Sequence, residues 1–319
     1  MSTPGGNDDN ERIDDLAGEP GIPEVLAALA ETVAVGPPLS LRDQLVAEIG
    51  RRPRAGAAPA SAPDLYRSRV VVMRQLLDEL RGGDWTAVVA PYRWTTHRLV
   101  AHLAVIEEYT ARQLGLTGEA PLPPGDPSAG DHLGLGAAEA DEIAAGAPEA
   151  SVARWWAAAG RVAAHVGSAA FDPSAPVPLH QWPFDAATAL VARSFELWTH
   201  GDDIRRATGR SLEEVPAEEL RIMSSTSVAG LPLLLALQPP PDAEPPAVLT
   251  PTRVVLTGPG GGTFALGGPG PQVNLLVADV VDYCRVVSRR LAPHEMASTR
   301  EGDKRLLSSL LVAAQAIAV

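Results

Sequence analysis

The sequence predicts an α+β protein in which a four-helix bundle precedes a small α+β domain. Between residues 64 and 210, four long segments repeat apolar residues at spacings of three and four, which indicates amphipathic helices. Loops rich in proline and glycine join these segments, as in a helical bundle. After residue 250 the pattern changes to short runs of β-branched residues around a glycine turn, which is typical of strands. We therefore predict three regions: an N-terminal extension (1–63), the bundle (64–210) and an α+β domain (211–319).

The boundaries of the bundle helices follow from their capping residues. Asp64 is a candidate N-cap of the first helix, and Asp185 of the fourth, because a short polar side chain there accepts a hydrogen bond from a helix amide. Thr95 or Thr96 can cap the second helix in the same way. The long helices are predicted at residues 65–80, 96–114, 150–166 and 185–208, with a shorter helix near 137–145 and proline-rich loops at 121–130 and 171–182.

The last third of the chain has a different pattern. Gly258-Pro-Gly-Gly-Gly262 lies between two strand-like runs and is interpreted as a hairpin turn, since it lacks the Lys-Ser/Thr of a phosphate loop. We expect helices packed on an antiparallel sheet. The predicted elements are helices at 217–227 and 231–237, a proline-rich break at 239–246, strands at 252–257, 263–266 and 273–277, and helices at 279–290 and 302–317.

The N-terminal extension is expected to be partly disordered. Residues 1–20 are polar, and residues 51–63 form a low-complexity linker of Ala, Pro and Arg, which buries too little surface to order itself. Two short amphipathic helices are predicted between these segments, at 22–33 and 39–49. We interpret the whole of residues 1–63 as an appendage.

Composition narrows the class of protein. The formal net charge of -13 argues against nucleic-acid binding, which depends on clustered Lys and Arg. The single cysteine, Cys284, excludes an internal disulfide and a Cys-based zinc cluster; its valine neighbours favour a buried structural thiol. The sequence shows neither a signal-peptide core nor a run of about 18 apolar residues. The expectation is a cytoplasmic protein without a membrane partner. The strong preference for Arg over Lys, with abundant Ala, Gly and Pro, is typical of a GC-rich actinobacterial genome.

Three residues on two helices are candidate metal ligands. Glu196 and His200 are four residues apart, so they share one face of the fourth helix. His102 lies on the apolar stripe of the second helix. Both helices are expected to be buried, and a buried carboxylate needs a partner such as a cation. Two histidines and a glutamate, with a fourth position open, form a common catalytic zinc site.

Two charged residues on the same helix have open alternatives. Asp203 can orient a ligand histidine or contact substrate, or it can be an ordinary surface carboxylate. Arg193 can bind an anionic group of a substrate, or it can form an internal salt bridge to Glu196 or Asp203. We take Arg193 and Asp203 as candidate catalytic residues, and Arg193 and Trp94 as candidate cofactor-binding residues.

Residues 64–319 resemble the mycothiol-dependent maleylpyruvate isomerase family. Two motifs carry the resemblance: Trp94-Thr-Thr-His-Arg-Leu-Val-Ala-His102, and the segment from Arg193 through Glu196-Leu-Trp-Thr-His200-Gly-Asp-Asp203 to Gly209. The resemblance implies a DinB-like bundle and a C-terminal domain related to sterol carrier proteins. It also implies that His102, Glu196 and His200 bind zinc or another divalent metal.

The resemblance further implies mycothiol as cofactor and an electrophilic small molecule as substrate. A zinc-bound thiolate would add to an electrophilic carbon; elimination after bond rotation would give isomerisation, and retention of the adduct would give a thiol conjugate. In this family an arginine of the C-terminal domain is expected near the site, with Arg285, Arg289 and Arg290 as candidates. The outcome, isomerase or S-transferase, stays open, as does the oligomeric state.

The alternative is a non-catalytic ligand-binding or regulatory protein, since residues 22–51 are faintly similar to the tail of actinobacterial anti-sigma factors.

Overall fold

The computed structural model describes residues 61–119, 136–179, 182–237 and 249–317, and shows the α+β class that the sequence predicts. The helices are α1 (Ala62–Glu79), α2 (Thr96–Gln113), α3 (Ala137–Ala144), α4 (Pro148–Val166), α5 (Ala186–Ala207), α6 (Ala217–Leu237), α7 (Val280–Val287) and α8 (Lys304–Ala314). The strands are β1 (Val88–Val89), β2 (Trp94–Thr95), β3 (Pro176–Leu179), β4 (Trp182–Asp185), β5 (Thr252–Thr257), β6 (Gly262–Leu266), β7 (Asn274–Asp279) and β8 (Ser298–Glu301). The extension helices and the loops at 121–130 and 239–246 lie outside the described residues, and the domain boundaries stay predictions.

Helices α1, α2, α4 and α5 form the bundle. Helix α2 packs on α4, and α1 packs on both α5 and α4, while the short α3 lies against α2. The large side chains between them, Tyr66, Trp155 and Phe195, are fully buried. Gly201 has no side chain where α5 faces α1, and an added Cβ would lie in contact with Met73. The close approach of these helices encloses almost the whole of α5.

The helix caps confirm most of the predicted starts. The Thr95 and Asp185 side chains accept hydrogen bonds from the backbone amides of Arg98 and Thr188, as expected of N-caps. The prediction for Asp64 is wrong by one turn. Ser61 is the N-cap of α1, and Asp64 lies at the third helical position, where its carboxylate accepts from the Ser61 amide. The two residues form a capping box, which satisfies two amides at once.

Helix α6 is continuous, although two separate helices were predicted at 217–227 and 231–237. Pro232 lies inside it and removes one backbone donor. Val228, Leu231 and Leu234 are nevertheless buried on both sides of the proline, and α6 packs on α8 and α7. The packing of these side chains outweighs the local preference for a break.

The sheet of the C-terminal unit has the order β6-β5-β7-β8. Strands β5 and β6 form the predicted antiparallel hairpin, and β8 pairs antiparallel with β7. The expectation of a wholly antiparallel sheet is wrong, because β5 and β7 pair in parallel. Strand β8 has the sequence Ser-Thr-Arg-Glu and no buried residue, so it carried no hydrophobic alternation that would predict a strand.

Two short hairpins were also absent from the sequence prediction. Strands β1 and β2 pair across the turn that precedes α2. Strand β3 lies within the segment interpreted as a loop at 171–182 and pairs with β4, which begins at the end of that segment, with Pro176 opposite Asp185. Prolines lack a backbone donor and are tolerated in edge strands, so their presence did not exclude this two-stranded pair.

One continuous cluster of buried apolar side chains extends from the bundle through α6 into the C-terminal unit. Cys284 lies in this cluster, and burial raises the pKa of its thiol well above the ordinary value, consistent with a structural cysteine. No described helix is long and apolar enough to cross a membrane.

Candidate metal centre

His102, Glu196 and His200 meet in the interior of the bundle. One ligand atom from each of the three side chains lies within 4.8 Å of the others. The residues are 0%, 7% and 2% exposed, so the group is enclosed by protein. His102 comes from α2, and the other two come from successive turns of α5, as their spacing of four predicts. The helices therefore bring together all three predicted ligands.

The two imidazoles are held in the form that can bind a metal. Burial lowers the pKa of His102 well below its ordinary value, and the neighbouring His200 and Arg193 lower it further. Burial likewise lowers the pKa of His200, against the opposing effect of its hydrogen bond with Asp203. Both rings are thus neutral near pH 7, which is the state a metal ligand requires.

The hydrogen bonding of His200 fits a metal at this point. Its Nδ1 lies 3.4 Å from Oδ2 of Asp203, whereas its Nε2 has no hydrogen-bond partner among the described residues. A buried nitrogen without a partner is costly unless it finds a ligand. A histidine that donates one N–H to a carboxylate and directs the other nitrogen to a metal is a common arrangement. Two nitrogens and one carboxylate oxygen suit zinc.

Asp203 is buried and joins His200 to the C-terminal unit. Arg290 forms a two-pronged ion pair with it: Nε lies 2.9 Å from Oδ1, and Nη2 lies 2.5 Å from Oδ2. Burial raises the pKa of Asp203, but the hydrogen bonds with His200 and Arg290 lower it more, so the carboxyl is ionised. Of the alternatives for Asp203, orientation of His200 is the one that these contacts fit; a contact with substrate stays a prediction.

The position of Arg290 follows from the end of α7. Arg289, next to it, has a φ of 58°, a left-handed conformation that turns the chain after the helix. The Arg290 amide then donates to the carbonyl of Arg285 at 2.8 Å. Among the three candidate arginines of the C-terminal unit, Arg290 is the one that reaches Asp203.

An aromatic wall lines the histidines. Tyr92 and Trp94 stack with ring centroids 4.9 Å apart, and they come from the turn and second strand of the β1–β2 hairpin. Tyr92 contacts the His200 ring edge-on at 5.7 Å, and Trp94 lies 5.4 Å from the His102 ring. The Tyr92 hydroxyl also accepts a hydrogen bond from Arg290 at 2.6 Å. Trp94 is therefore next to the three-ligand group; its role in cofactor binding stays a prediction.

Arg193 forms the internal salt bridge that was one of its two alternatives. Its guanidinium contacts Oε2 of Glu196 and lies 2.8 Å from Oε1 of Glu107 on α2. Both Arg193 and Glu107 are buried. The structure gives Arg193 two carboxylate partners of its own protein, and its contact with a substrate or cofactor remains a prediction.

Three residues of this centre, Tyr66, Tyr92 and Glu107, were not singled out from the sequence, and Arg290 was one of three candidate arginines. Glu107 stands beside Glu108 in α2, and only the fold shows that the first is enclosed while the second pairs with Arg154 near the surface. The signal that was available is its spacing: Glu107 lies four residues after Leu103 and four before Ala111, on the apolar face of α2, where a carboxylate is expensive to bury without a cation.

Comparison with known proteins agrees with this arrangement. Residues 66–205 match the family described as the mycothiol maleylpyruvate isomerase N-terminal domain. Two crystal structures of a mycothiol-dependent maleylpyruvate isomerase, one of a histidine-to-alanine variant, are similar to this chain. Each has 16% identity and a TM-score of 0.50, and the match covers 82% of this chain and 93% of the other, which shows a shared fold. No curated protein matches the chain. The family match thus covers the bundle, residues 66–205, and the similarity of fold extends into the C-terminal unit.

Proposed function

We propose that this protein is a metal- and thiol-dependent enzyme that uses mycothiol to attack an electrophilic small molecule. His102, Glu196 and His200 hold the metal, with zinc as the first choice. One observation carries the proposal: three buried groups of the types that bind catalytic zinc converge within 4.8 Å in a domain of this family.

A divalent metal in this position supplies a Lewis acid that keeps a coordinated thiol ionised at neutral pH. The protein supplies the setting. Asp203 fixes the orientation of the His200 ring, and Arg290 in turn fixes Asp203. Tyr92 and Trp94 cover the histidines with aromatic surface and exclude water from them. The low polarity of this enclosure strengthens each electrostatic interaction within it.

The reaction has two candidate outcomes. Maleylpyruvate is the first substrate to test, because it is named in the comparisons. In an isomerisation the thiol is regenerated, so a catalytic quantity of mycothiol supports full conversion. In a conjugation each turnover consumes one thiol. Counting free thiol against converted substrate therefore separates an isomerase from an S-transferase.

The test of the proposal begins with metal content. Elemental analysis of the purified protein is expected to give about one zinc or other divalent ion per chain, and His102→Ala is expected to lose it. His294→Ala, which changes an exposed histidine outside the cluster, serves as the matched control. Absence of a bound divalent ion from both the wild type and His294→Ala would contradict the metal role.

Thiol binding is the second part of the test. Mycothiol is expected to bind the metal-loaded protein in the micromolar to millimolar range usual for substrates. Glu196→Gln should weaken that binding, because it removes an anionic ligand of the metal. If Glu196→Gln and the metal-free protein both bind mycothiol as tightly as the metal-loaded wild type, the alternative is favoured, a non-catalytic ligand-binding or regulatory protein.

A further inference from the structure

A series of hydrogen-bonded and ion-paired side chains leads from Tyr66 on α1 to Glu196, a proposed metal ligand. The hydroxyl of Tyr66 on α1 donates to Oε2 of Glu107 at 2.7 Å. The other oxygen of Glu107 accepts from Nη2 of Arg193 at 2.8 Å, and Nη1 of Arg193 contacts Oε2 of Glu196. Tyr66 and Glu107 are completely buried, and Arg193 is 3% exposed. The series thus spans three helices without reaching solvent.

Stability of the bundle does not by itself account for this series of buried interactions. Burying an ion pair seldom stabilises a protein more than apolar side chains of similar volume do. The charges instead alternate in order: Glu107 is negative, Arg193 positive and Glu196 negative. Arg193 by itself would repel a divalent cation at the ligand group. Glu107 balances this charge, and Tyr66 fixes the Glu107 carboxylate that holds the guanidinium.

We propose that Tyr66 and Glu107 are positioning residues for the metal, acting through Arg193 on the carboxylate of Glu196. The proposal rests on the proposed metal site. Arg193 occupies one oxygen of Glu196 and so restricts the rotation of its carboxylate. Glu107 keeps Arg193 in that position and neutralises it. Tyr66 and Glu107 are linked to Glu196 through Arg193, so their proposed effect is on affinity and geometry rather than on a reacting atom.

Cobalt(II) is the probe for this proposal, because its visible spectrum reports the geometry of the site without a turnover assay. Glu107→Gln keeps the shape of the side chain but removes the charge that balances Arg193. It is expected to weaken Co²⁺ binding about 10- to 100-fold, the usual range for partners that support metal ligands. Competition with a chelator of known affinity measures the change.

The matched control is Glu219→Gln. Glu219 is a buried carboxylate that pairs with Arg69 outside the metal centre. Its substitution should lower the melting temperature and leave the Co²⁺ affinity unchanged. If both variants lose Co²⁺ affinity equally, the effect is a general loss of stability and the positioning role is wrong.

Tyr66→Phe tests the same series without altering any charge and remains decisive if Glu107→Gln fails to fold. It is expected to weaken Co²⁺ binding several-fold and to shift the visible bands of the Co²⁺ protein. Tyr283→Phe is the control, because Tyr283 is also completely buried and also loses one hydrogen bond, to Ser227. Tyr283→Phe should leave the spectrum as in the wild type.

The outcomes separate this inference from the proposed function. A wild-type protein that binds no Co²⁺ and no zinc contradicts the metal site itself. A wild-type protein that binds Co²⁺ tightly, together with a Tyr66→Phe variant of equal affinity and identical spectrum, leaves the metal site intact and overturns the positioning role.

Discussion

Helix α5 contributes residues to two largely buried clusters of charged side chains. Comparing them shows which features are specific to a candidate metal site and which occur in an ordinary structural ion-pair network. The site cluster consists of Glu107, Arg193, Glu196, His102, His200, Asp203 and Arg290. The junction cluster consists of Arg69, Asp202, Arg205, Glu213 and Glu219 and joins α1 and α5 to the start of α6. In the junction cluster Arg69 lies 2.6 Å from Glu219 and also contacts Glu213, and Arg205 lies 3.4 Å from Glu213.

Both clusters are rich in buried charge, so burial of charge alone does not mark a functional site. The basic groups of the junction cluster are arginines, which donate hydrogen bonds and cannot ligate a metal. The site cluster contains two neutral imidazoles, of which His200 has a nitrogen without a hydrogen-bond partner among the described residues. The presence of imidazole nitrogens beside a carboxylate, and not the density of charge, distinguishes the candidate centre.

The largest expected effect is on stability, from breaking the junction cluster. Arg69→Met leaves the carboxylates of the buried Glu219 and the partly buried Glu213 without their shared cation and should lower the free energy of unfolding by about 3–5 kcal/mol. Arg74→Met on the same helix removes a largely exposed pair with Asp78 and should change it by less than about 1 kcal/mol. Urea unfolding measures both. Loss of Co²⁺ affinity in Arg69→Met, measured on the folded protein, would show that the clusters are coupled.

Removal of metal is the next largest effect and acts on the site cluster alone. With free metal at 100 times its dissociation constant, binding should stabilise the folded protein by about 2.7 kcal/mol. Chelation should reverse this increase, and the melting temperature follows it. The same difference between loaded and chelated protein is expected in Arg69→Met, since none of the three proposed ligands belongs to the junction cluster. A chelator that changes neither protein contradicts the prediction.

Arg290→Gln should weaken the metal affinity about 10-fold, because Asp203 then loses the ion pair that fixes it against His200. Arg289→Gln is the control, since Arg289 is exposed and directs its side chain to the carbonyl of Gln315. Chelator competition distinguishes the two variants. Equal affinities in both would show that Arg290 does not support the centre.

The pH dependence of the metal-free protein should report the buried imidazoles. The pKa of His102 and that of His200 are lowered in the folded state, so below about pH 6.5 the unfolded chain binds more protons than the folded chain. Stability from these groups is thus fully present above that pH and is lost as the pH falls towards the lowered values. His102→Gln should make the loss shallower, as measured by melting temperature between pH 7 and pH 5. If the slope of melting temperature against pH is the same in His102→Gln as in the wild type, His102 is not one of the groups that cause the loss of stability.

The smallest expected effect is spectroscopic. Trp94 lies 5.4 Å from the ring of His102, so Co²⁺ in the centre should quench its fluorescence. Trp94→Phe should remove most of the quenching that the wild type shows. Trp156→Phe is the control, because Trp156 lies half-exposed against Arg74 on another side of the bundle. Quenching that survives in Trp94→Phe would place the ion elsewhere.

The sequence predicts the helices of this fold well because each carries its own signal. Periodicity places the long helices, and Thr95 and Asp185 mark where two of them begin. The continuous α6 and the strand β8 were missed for the opposite reason. Packing of distant residues overrides Pro232, and β8 exists only because β7 offers it an edge.

The residues of the candidate metal centre also divide into those with a local sequence signal and those that only the tertiary structure brings together. Glu196 and His200 are linked by spacing along one helix, and His102 by the apolar stripe of another, so sequence alone could propose all three. Glu107, Tyr66 and Arg290 reach the centre from other turns and other elements, and only tertiary structure shows that they meet. No local pattern distinguishes Arg290 from Arg289 or Arg285.

The ion pair between Arg290 and Asp203 also bears on how this protein can change in evolution or in the laboratory. A gene fusion that replaces the C-terminal unit by one without an arginine at this turn would keep the sheet and its helices yet remove the guanidinium from a carboxylate buried in the bundle. Exchange of the two halves therefore depends on this ion pair. A chimera would need an arginine at the same turn after α7, or a compensating change at Asp203, to keep this carboxylate paired beside His200.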